Sequence, residues 1–335
     1  MRILYLSCHS ILEYDELSIL ERLGIEYFSL GSYIQPQSPV DPIRPPLTRR
    51  VDQDLLRQAP DRLAIPKSFI DNFDTIIVMH VPEWIEVNWE NMKHKRVIWR
   101  TIGQSTPAIE LRMQRFVQEG MQIVRYSPRE SNLANYAGES KVIRFTKDPA
   151  EFNGYTGTSS KAICISQNMK HRGEFCNYAT FEKIAQGLDV KLYGTSNESS
   201  GDLSGGFLTY EAMKDLIRTS RAFIYTGTQP ACYTLSFIEA MMTGIPVVAI
   251  GPKLANSLNI SGDMYEIADM IENGYNGYIS DDVQYLRERI QTLAVNPTLA
   301  KTIGERGRQK AISLFGIEPI TEQWRQFLTQ NVSHK

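Results

Sequence analysis

Short apolar runs recur along the chain, each followed by a stretch of helical period and then a turn. Residues 2–7 are continuous, apolar and β-rich, as a strand buried on both faces should be. Comparable runs at 25–30, 75–80 (TIIVMH), 96–100 (RVIWR), 122–126 and 141–145 predict further strands. Between them the period lengthens. Leu17, Leu20 and Leu23 share one face of a helix beginning near Asp15 and Glu16, after a loop over 8–14. Two acids in a first turn suit the positive end of the helix dipole. A helix between the third and fourth runs holds Trp84 and Trp89, and another spans 107–119. A second series starts at 162–166 and continues through 190–193, 222–225 and 247–250. Helices are predicted around 264–272, 283–293, 299–314 and, after Gly316, over 319–328. Strand and helix alternating in this way predict an α/β protein built on doubly wound sheets with helices on both faces.

Two stretches break the rhythm. Residues 31–47, with QPQSPVDPIRPPL, have no helical period and too much proline for a central strand. An acceptor-side loop and a plain connector both fit them. Around 146–161 the sequence DPAEFNGYTGTSS has the Gly, Thr and Ser density of a linker. A domain boundary placed there gives a first domain over 1–155, a second over 156–315 and a terminal helix within 316–335. Two α/β halves leave a cleft, a preferred place for a ligand.

Residues 225–251, YTGTQPACYTLSFIEAMMTGIPVVAIG, carry the densest chemistry. A strand runs into a loop containing Gly227 and Thr228, then a helix with Leu235, Ile238 and Met242 on one face. Gly244 suits the residue that closes a helix, and Pro246 cannot continue one. Strand, helix and strand in so short a span form a βαβ unit with a right-handed crossover. Its loop over 226–234 must lie outside the carboxyl ends of the strands, where such sheets bind ligands. Cys232, Tyr233, Thr234, Leu235 and Ser236 fall at or just before the helix N-terminus, whose unpaired N–H groups suit a phosphate. Glu239, within the first two turns, can accept hydrogen bonds from vicinal hydroxyls such as those of a ribose. On spacing alone a dipole-stabilised surface acid in a structural β-loop-α fits it better.

Composition narrows the class. A net charge of −2 supplies no global attraction to nucleic acid or anionic lipid. Cys8, Cys164, Cys176 and Cys232 are scattered without zinc spacing, which fits reduced thiols. The sequence MRILYLSCHS lacks the apolar core of a signal peptide, and no segment approaches a membrane span. A cytoplasmic protein is expected.

The stretch 225–251 resembles the donor-binding motif of retaining, GT-B-fold nucleotide-sugar glycosyltransferases, the family-four-like or group 1 enzymes. Their motif runs Glu-Gly-Phe-Gly, four residues, then Glu-Ala-Met-Ala-Cys-Gly-x-Pro-Val-Val-Ala. FIEAMMTGIPVVAIG matches its second half, whereas the family's first Glu, which helps hold the transferred sugar, falls on Ala231. The second Glu, which binds the donor ribose, is kept as Glu239. Residues 165–173 (ISQNMKHRG) resemble the loop where an Arg and a Lys neutralise the diphosphate. Arg172 takes the Lys position and Gln167 the Arg position, with Lys170 a nearby substitute. Residues 272–278 (ENGYNGY) also follow the family pattern.

The first half matches in rhythm only. At the strand end where the family often has a His, this chain has RTIGQ, leaving Arg100, Thr101 and Gln104 as polar candidates. His80 and His9 end two other strands. The resemblance implies two Rossmann-like domains facing a cleft, with the last helix crossing back to the first. It further implies a nucleoside diphosphate sugar as donor substrate, an unknown acceptor, no cofactor, no metal and retention of configuration. Domain closure would exclude water. Arg172, Lys170 and His80 are then the catalytic candidates. The lost acid at Ala231 keeps two other readings open, a nucleotide- or sugar-binding protein without transfer and a nucleotide-sugar epimerase.

Other chemistries find little purchase. Asp52-Gln53-Asp54 resembles a metal-binding triplet but falls in a predicted helix with no apolar strand before it. Dinucleotide and phosphate-loop glycine fingerprints and a Gly-x-Ser-x-Gly elbow are missing.

Overall fold

In the computed structural model, which describes residues 1–32, 52–258 and 262–329, the ten apolar runs, joined by two short strands not expected from the sequence, form two parallel sheets of six strands. The first contains β1 (Arg2–Leu6), β2 (Glu26–Ser29), β3 (Thr75–Met79), β4 (Arg96–Arg100), β5 (Gln122–Arg125) and β6 (Lys141–Val142), in the order β2-β1-β3-β4-β5-β6. The second contains β7 (Ala162–Ile165), β8 (Val190–Tyr193), β9 (Ser204–Gly206), β10 (Ala222–Tyr225), β11 (Val247–Ile250) and β12 (Tyr278–Ser280), in the order β12-β11-β10-β7-β8-β9. Every residue of β3, β10 and β11 is buried, which is why these runs do not alternate: helices cover both faces.

The chain divides into two compact units, Met1–Thr146 with Glu318–Lys335, and Lys147–Ile317. Residues 147–155, expected in the first domain, pack with the second. The Arg308 guanidinium donates to the Phe152 carbonyl, and the Tyr155 hydroxyl donates to that of Arg221 at 3.1 Å.

Several elements differ from expectation. The first helix is Ser10–Arg22, so most of the expected loop over 8–14 is its opening turn. His9 caps it: its backbone is extended, and its ring Nδ1 accepts the Leu12 N–H at 3.4 Å. Asp15 and Glu16 therefore sit beyond the first turn, buried against the sheet. The helix expected over 264–272 shrinks to Ile267–Met270, and β6 holds only the first two of its five expected residues. Asp52 caps the short helix Gln53–Arg57, with Arg2 at 2.6 Å, and Asp54 pairs with Arg57. From residue 33 to 51 the proline-rich stretch lies outside the described residues.

The last helix, Ile317–Thr329, belongs to the first unit from Glu318 onward. Trp324, Phe327 and Leu328 are each at most 4% exposed, and burial of such a side chain contributes about 1.5–3 kcal/mol. Arg96 grips the end of this helix, donating to the carbonyls of Phe327 at 2.9 Å and Leu328 at 3.0 Å. A cation there answers both the orphan carbonyls and the negative end of the dipole.

Buried charges brace the first sheet. Arg125 forms a two-pronged bridge to Glu110, both bonds at 2.7 Å, with all these atoms out of water. Glu130 lies on the other side of Arg125, at 3.8 Å. Burial pushes the Glu130 carboxyl up to about 7, against the pull of Arg125 and of hydrogen bonds from Thr101, Ser127 and Tyr126. A carboxyl raised in this way binds protons preferentially in the folded state. Its contribution is full below pH 4.5 and is lost as pH rises through 7. Glu130→Gln is expected to flatten the part of the decline in Tm between pH 4.5 and about 7. Scanning calorimetry of the two proteins checks this, and identical pH profiles would exclude Glu130 as the titrating group.

Candidate functional site

The strand orders locate a crevice in each sheet. In the second sheet β7 leads on to β8 at one side, whereas β10, its other neighbour, leads on to β11 in the opposite direction. Connections leaving the carboxyl ends of β7 and β10 therefore part, and a crevice opens between them. Its walls are residues 166–172 and 226–234, the two segments singled out by the motif.

Hydrogen bonds tie the second wall to residues 175–177, just past the first. Thr226 Oγ1 donates to the Cys176 carbonyl at 2.8 Å, and Asn177 Nδ2 donates to the Thr226 carbonyl at 2.9 Å. The Gln229 N–H donates to the Phe175 carbonyl at 2.7 Å. Gly227 stands at φ +73°, and a Cβ there would come within 3.1 Å of the Tyr265 ring. Only glycine meets both demands comfortably. Thr228 is half-buried, and its carbonyl accepts the Ala231 N–H at 2.8 Å to close the turn.

Thr234 is extended, at φ −120° and ψ 164°, and starts the helix Leu235–Thr243. Its hydroxyl meets Ser236 Oγ at 3.0 Å and makes no capping bond to the helix. The first helical bond runs from the Ile238 N–H to the Thr234 carbonyl, so the amides of Leu235, Ser236 and Phe237 precede it. Together they form the positive end of a nine-residue helix. Cys232 and Tyr233 are 0% and 1% exposed, so their side chains belong to the core and only their backbone can serve a ligand.

On the opposite wall Arg172 is half-buried, and its guanidinium has no ion-pair partner among the described residues. Lys170 is exposed and donates to the Ser199 carbonyl at 2.8 Å. Gln167 is exposed. Glu239 is buried, and its carboxylate meets the Lys147 ammonium at 3.0 Å. Lys147 was read as linker, and nothing in its sequence surroundings marks it out.

In the first sheet the reversal falls between β1 and β3, whose carboxyl ends lead into Ser7–His9 on one side and His80 on the other. The Cys8 thiol lies 3.5 Å from the Met79 carbonyl and ties the two together. His80 is buried at φ +57°, rare for a side chain with a Cβ, and its Nδ1 has no hydrogen-bond partner among the described residues. Arg62, unnoticed in the sequence, donates to the Ser7 carbonyl at 2.6 Å and lies over the Trp84 ring at 4.5 Å. Gln104 is exposed.

Arg100 and Thr101 are not ligand-facing. Both are 0% exposed. Arg100 pairs with Glu16 at 2.6 Å and donates to the Ile143 carbonyl at 2.7 Å, while Thr101 Oγ1 donates to Glu130 at 2.8 Å. The end of β4 and the residue after it turn these polar groups inward, where partners far off in sequence satisfy them.

Two parallel sheets in this order, with the terminal helix returned to the first unit, define the GT-B fold. The architecture is similar over nearly its whole length to sucrose-phosphate synthase from Thermosynechococcus elongatus. There the TM-score is 0.68 at 14% identity, covering 98% of both chains. Anabaena HepE, solved in complex with UDP and glucose, gives 0.64 at 13% identity, covering 99% of this chain and 100% of that one. In sequence, a poly(ribitol-phosphate) alpha-N-acetylglucosaminyltransferase of Staphylococcus aureus is 33% identical over 92 residues. That is 27% of this chain and 16% of that protein. No family model matches.

Burial keeps His80 neutral below the ordinary histidine range, with Glu83 and Glu110 opposing the shift. A histidine lowered on folding contributes stability that is lost as pH falls. Its ring resonances are expected to titrate below pH 6.5 in NMR spectra. A midpoint at or above that value would show the ring to be solvated.

Proposed function

We propose that the protein transfers a sugar from a nucleoside diphosphate sugar to an acceptor, with retention and without a metal ion. The observation that carries this reading is the crevice of the second sheet. Arg172, Lys170, the opening amides of the helix Leu235–Thr243, and Glu239 lie on the loops and helix that bound it. The likeness to HepE, whose structure holds UDP and glucose, supports a nucleotide there and makes UDP the first probe.

As the sugar leaves, negative charge builds on the diphosphate. The helix-start amides and the two cations answer that charge, and donors fixed in advance are often the largest catalytic term. Glu239 binds the ribose hydroxyls. The departing phosphate oxygen takes the acceptor proton, so no carboxylate is assigned as base. We assign His9 and Gln104 to the acceptor side and keep His80 as a catalytic candidate.

Ala231 favours a second reading. Where the resembling motif has an acid for the transferred sugar, this chain has a methyl group. A protein that holds nucleotide sugars without turnover would show this pattern, and so would one that converts them without an acceptor.

Thermal shift with UDP, GDP and ADP finds the nucleotide, because a ligand of the folded state raises apparent stability. The matching nucleotide sugar with a mixed acceptor pool then separates the readings. Release of nucleoside diphosphate with sugar on an acceptor supports transfer. Binding without turnover would overturn it, and a changed sugar without an acceptor would identify the epimerase. Glutamine at 239 keeps a side-chain oxygen for the Lys147 ammonium, which alanine would remove, so glutamine is the cleaner change. Glu239→Gln is expected to weaken nucleotide binding by about 1–3 kcal/mol in calorimetry. Unchanged affinity would remove the ribose role.

A further inference from the structure

The Lys147–Glu239 pair is costly for two charges. Lys147 is 1% exposed and Glu239 is 5% exposed, and burial at that depth costs several kcal/mol per ion before the attraction is counted. Buried pairs are often neutral in stability against apolar replacements, so a stabilising role alone gives little reason to keep one. Lys147 is the one partner of the Glu239 carboxylate among the described residues, and its nitrogen sits on Oε1.

The ammonium is held in place from behind. Lys147 is the first residue of the second unit, and its N–H donates to the carbonyl of Phe315 at 2.9 Å. It also forms a parallel bridge with Gly316, close to where the chain leaves that unit. Its nitrogen lies 5.6 Å from the centre of the Phe152 ring. Phe315 in turn packs edge-on against Tyr233 of the crevice loop at 5.2 Å. The segments where the chain enters and leaves the unit thus contact both the loop and the helix that bound the crevice.

Resting on the reading of this crevice as a donor site, we propose that Lys147 is a positioning residue for nucleotide binding. It holds one oxygen of Glu239 so that the other is presented, charged, to the ribose hydroxyls of a nucleoside diphosphate. Lys147 itself touches no ligand: its side chain is 0% exposed. Three charged neighbours of the pair have their own partners. Arg308 donates to the carbonyls of Met242 and Phe152 and, at 2.9 Å, of Pro149. Asp148 accepts the Ala150 N–H at 2.8 Å, and Glu151 accepts the Tyr210 hydroxyl at 2.7 Å.

The signature of this role is discrimination between ribose and deoxyribose. UDP and 2′-deoxy-UDP are titrated by calorimetry into the wild-type protein and the Lys147→Met, Lys147→Arg and Lys147→Met/Glu239→Gln variants. GDP or ADP and its deoxy form take their place if thermal shift selects one of those. Lys147→Met is expected to lose about tenfold in affinity for the ribonucleotide and little for the deoxynucleotide, so the preference collapses. Lys147→Arg should keep the preference. The double variant should match Glu239→Gln alone, and it keeps the test open if the single variant folds poorly, since neither charge is then stranded. Equal losses for both nucleotides, or a preference intact in Lys147→Met, would overturn the role of Lys147 while leaving the donor site standing. A wild-type protein that binds none of the three nucleotides overturns the donor site and this role with it.

Discussion

Parallel strands cannot be joined by tight turns, and this constraint organises the whole molecule. Each connection must cross a face of the sheet as a helix or long loop, always with the same hand. A chain that lays strands to one side and then the other must reverse once, and the connections part at that place. Here the reversal falls between β7 and β10 in one sheet and between β1 and β3 in the other. The loops placed there need no covering helix, so they are free to carry Arg172, Gly227 and Thr234, or His9 and His80. Chemistry sits where the topology leaves a gap.

The two sheets use ionisable residues in contrasting ways. In the first, Arg100, Arg125, Glu16, Glu110 and Glu130 are buried and answered by one another or by carbonyls. They brace strand ends that approach one another closely. In the second, Arg172 has no acid paired with it among the described residues, while Lys147 and Glu239 are buried against each other. An uncompensated cation costs energy unless an anion arrives, and that asymmetry separates a frame from a binding surface.

Most of the second sheet was legible because its signals are local. The strand β10, the helix closed by Gly244 and the strand β11 are written in consecutive residues, with turn chemistry at each junction. The errors lie where partners are distant or residues unconventional. His9 is outside the usual set of N-cap residues, so the helix Ser10–Arg22 seemed to begin late. Arg100 looked available because Glu16, 84 residues away, leaves no trace beside it. Lys147 was hidden in a stretch whose Gly, Ser and Thr content says linker, although its backbone is strapped to Phe315. Composition reports what a segment can do when free, whereas tertiary contacts decide what it does.

The grip of Arg96 on the carbonyls of Phe327 and Leu328 bears on how the protein is made. The first sheet leaves the ribosome early, yet the helix that covers Trp324 and Phe327 is translated only after the entire second unit. Until then the apolar seat of that helix stays open to water, and the nascent unit is exposed to wrong partners. Closing it requires contacts between the far ends of the chain, the slow kind in any folding reaction. Of the two units, the one translated first is therefore the last to be finished.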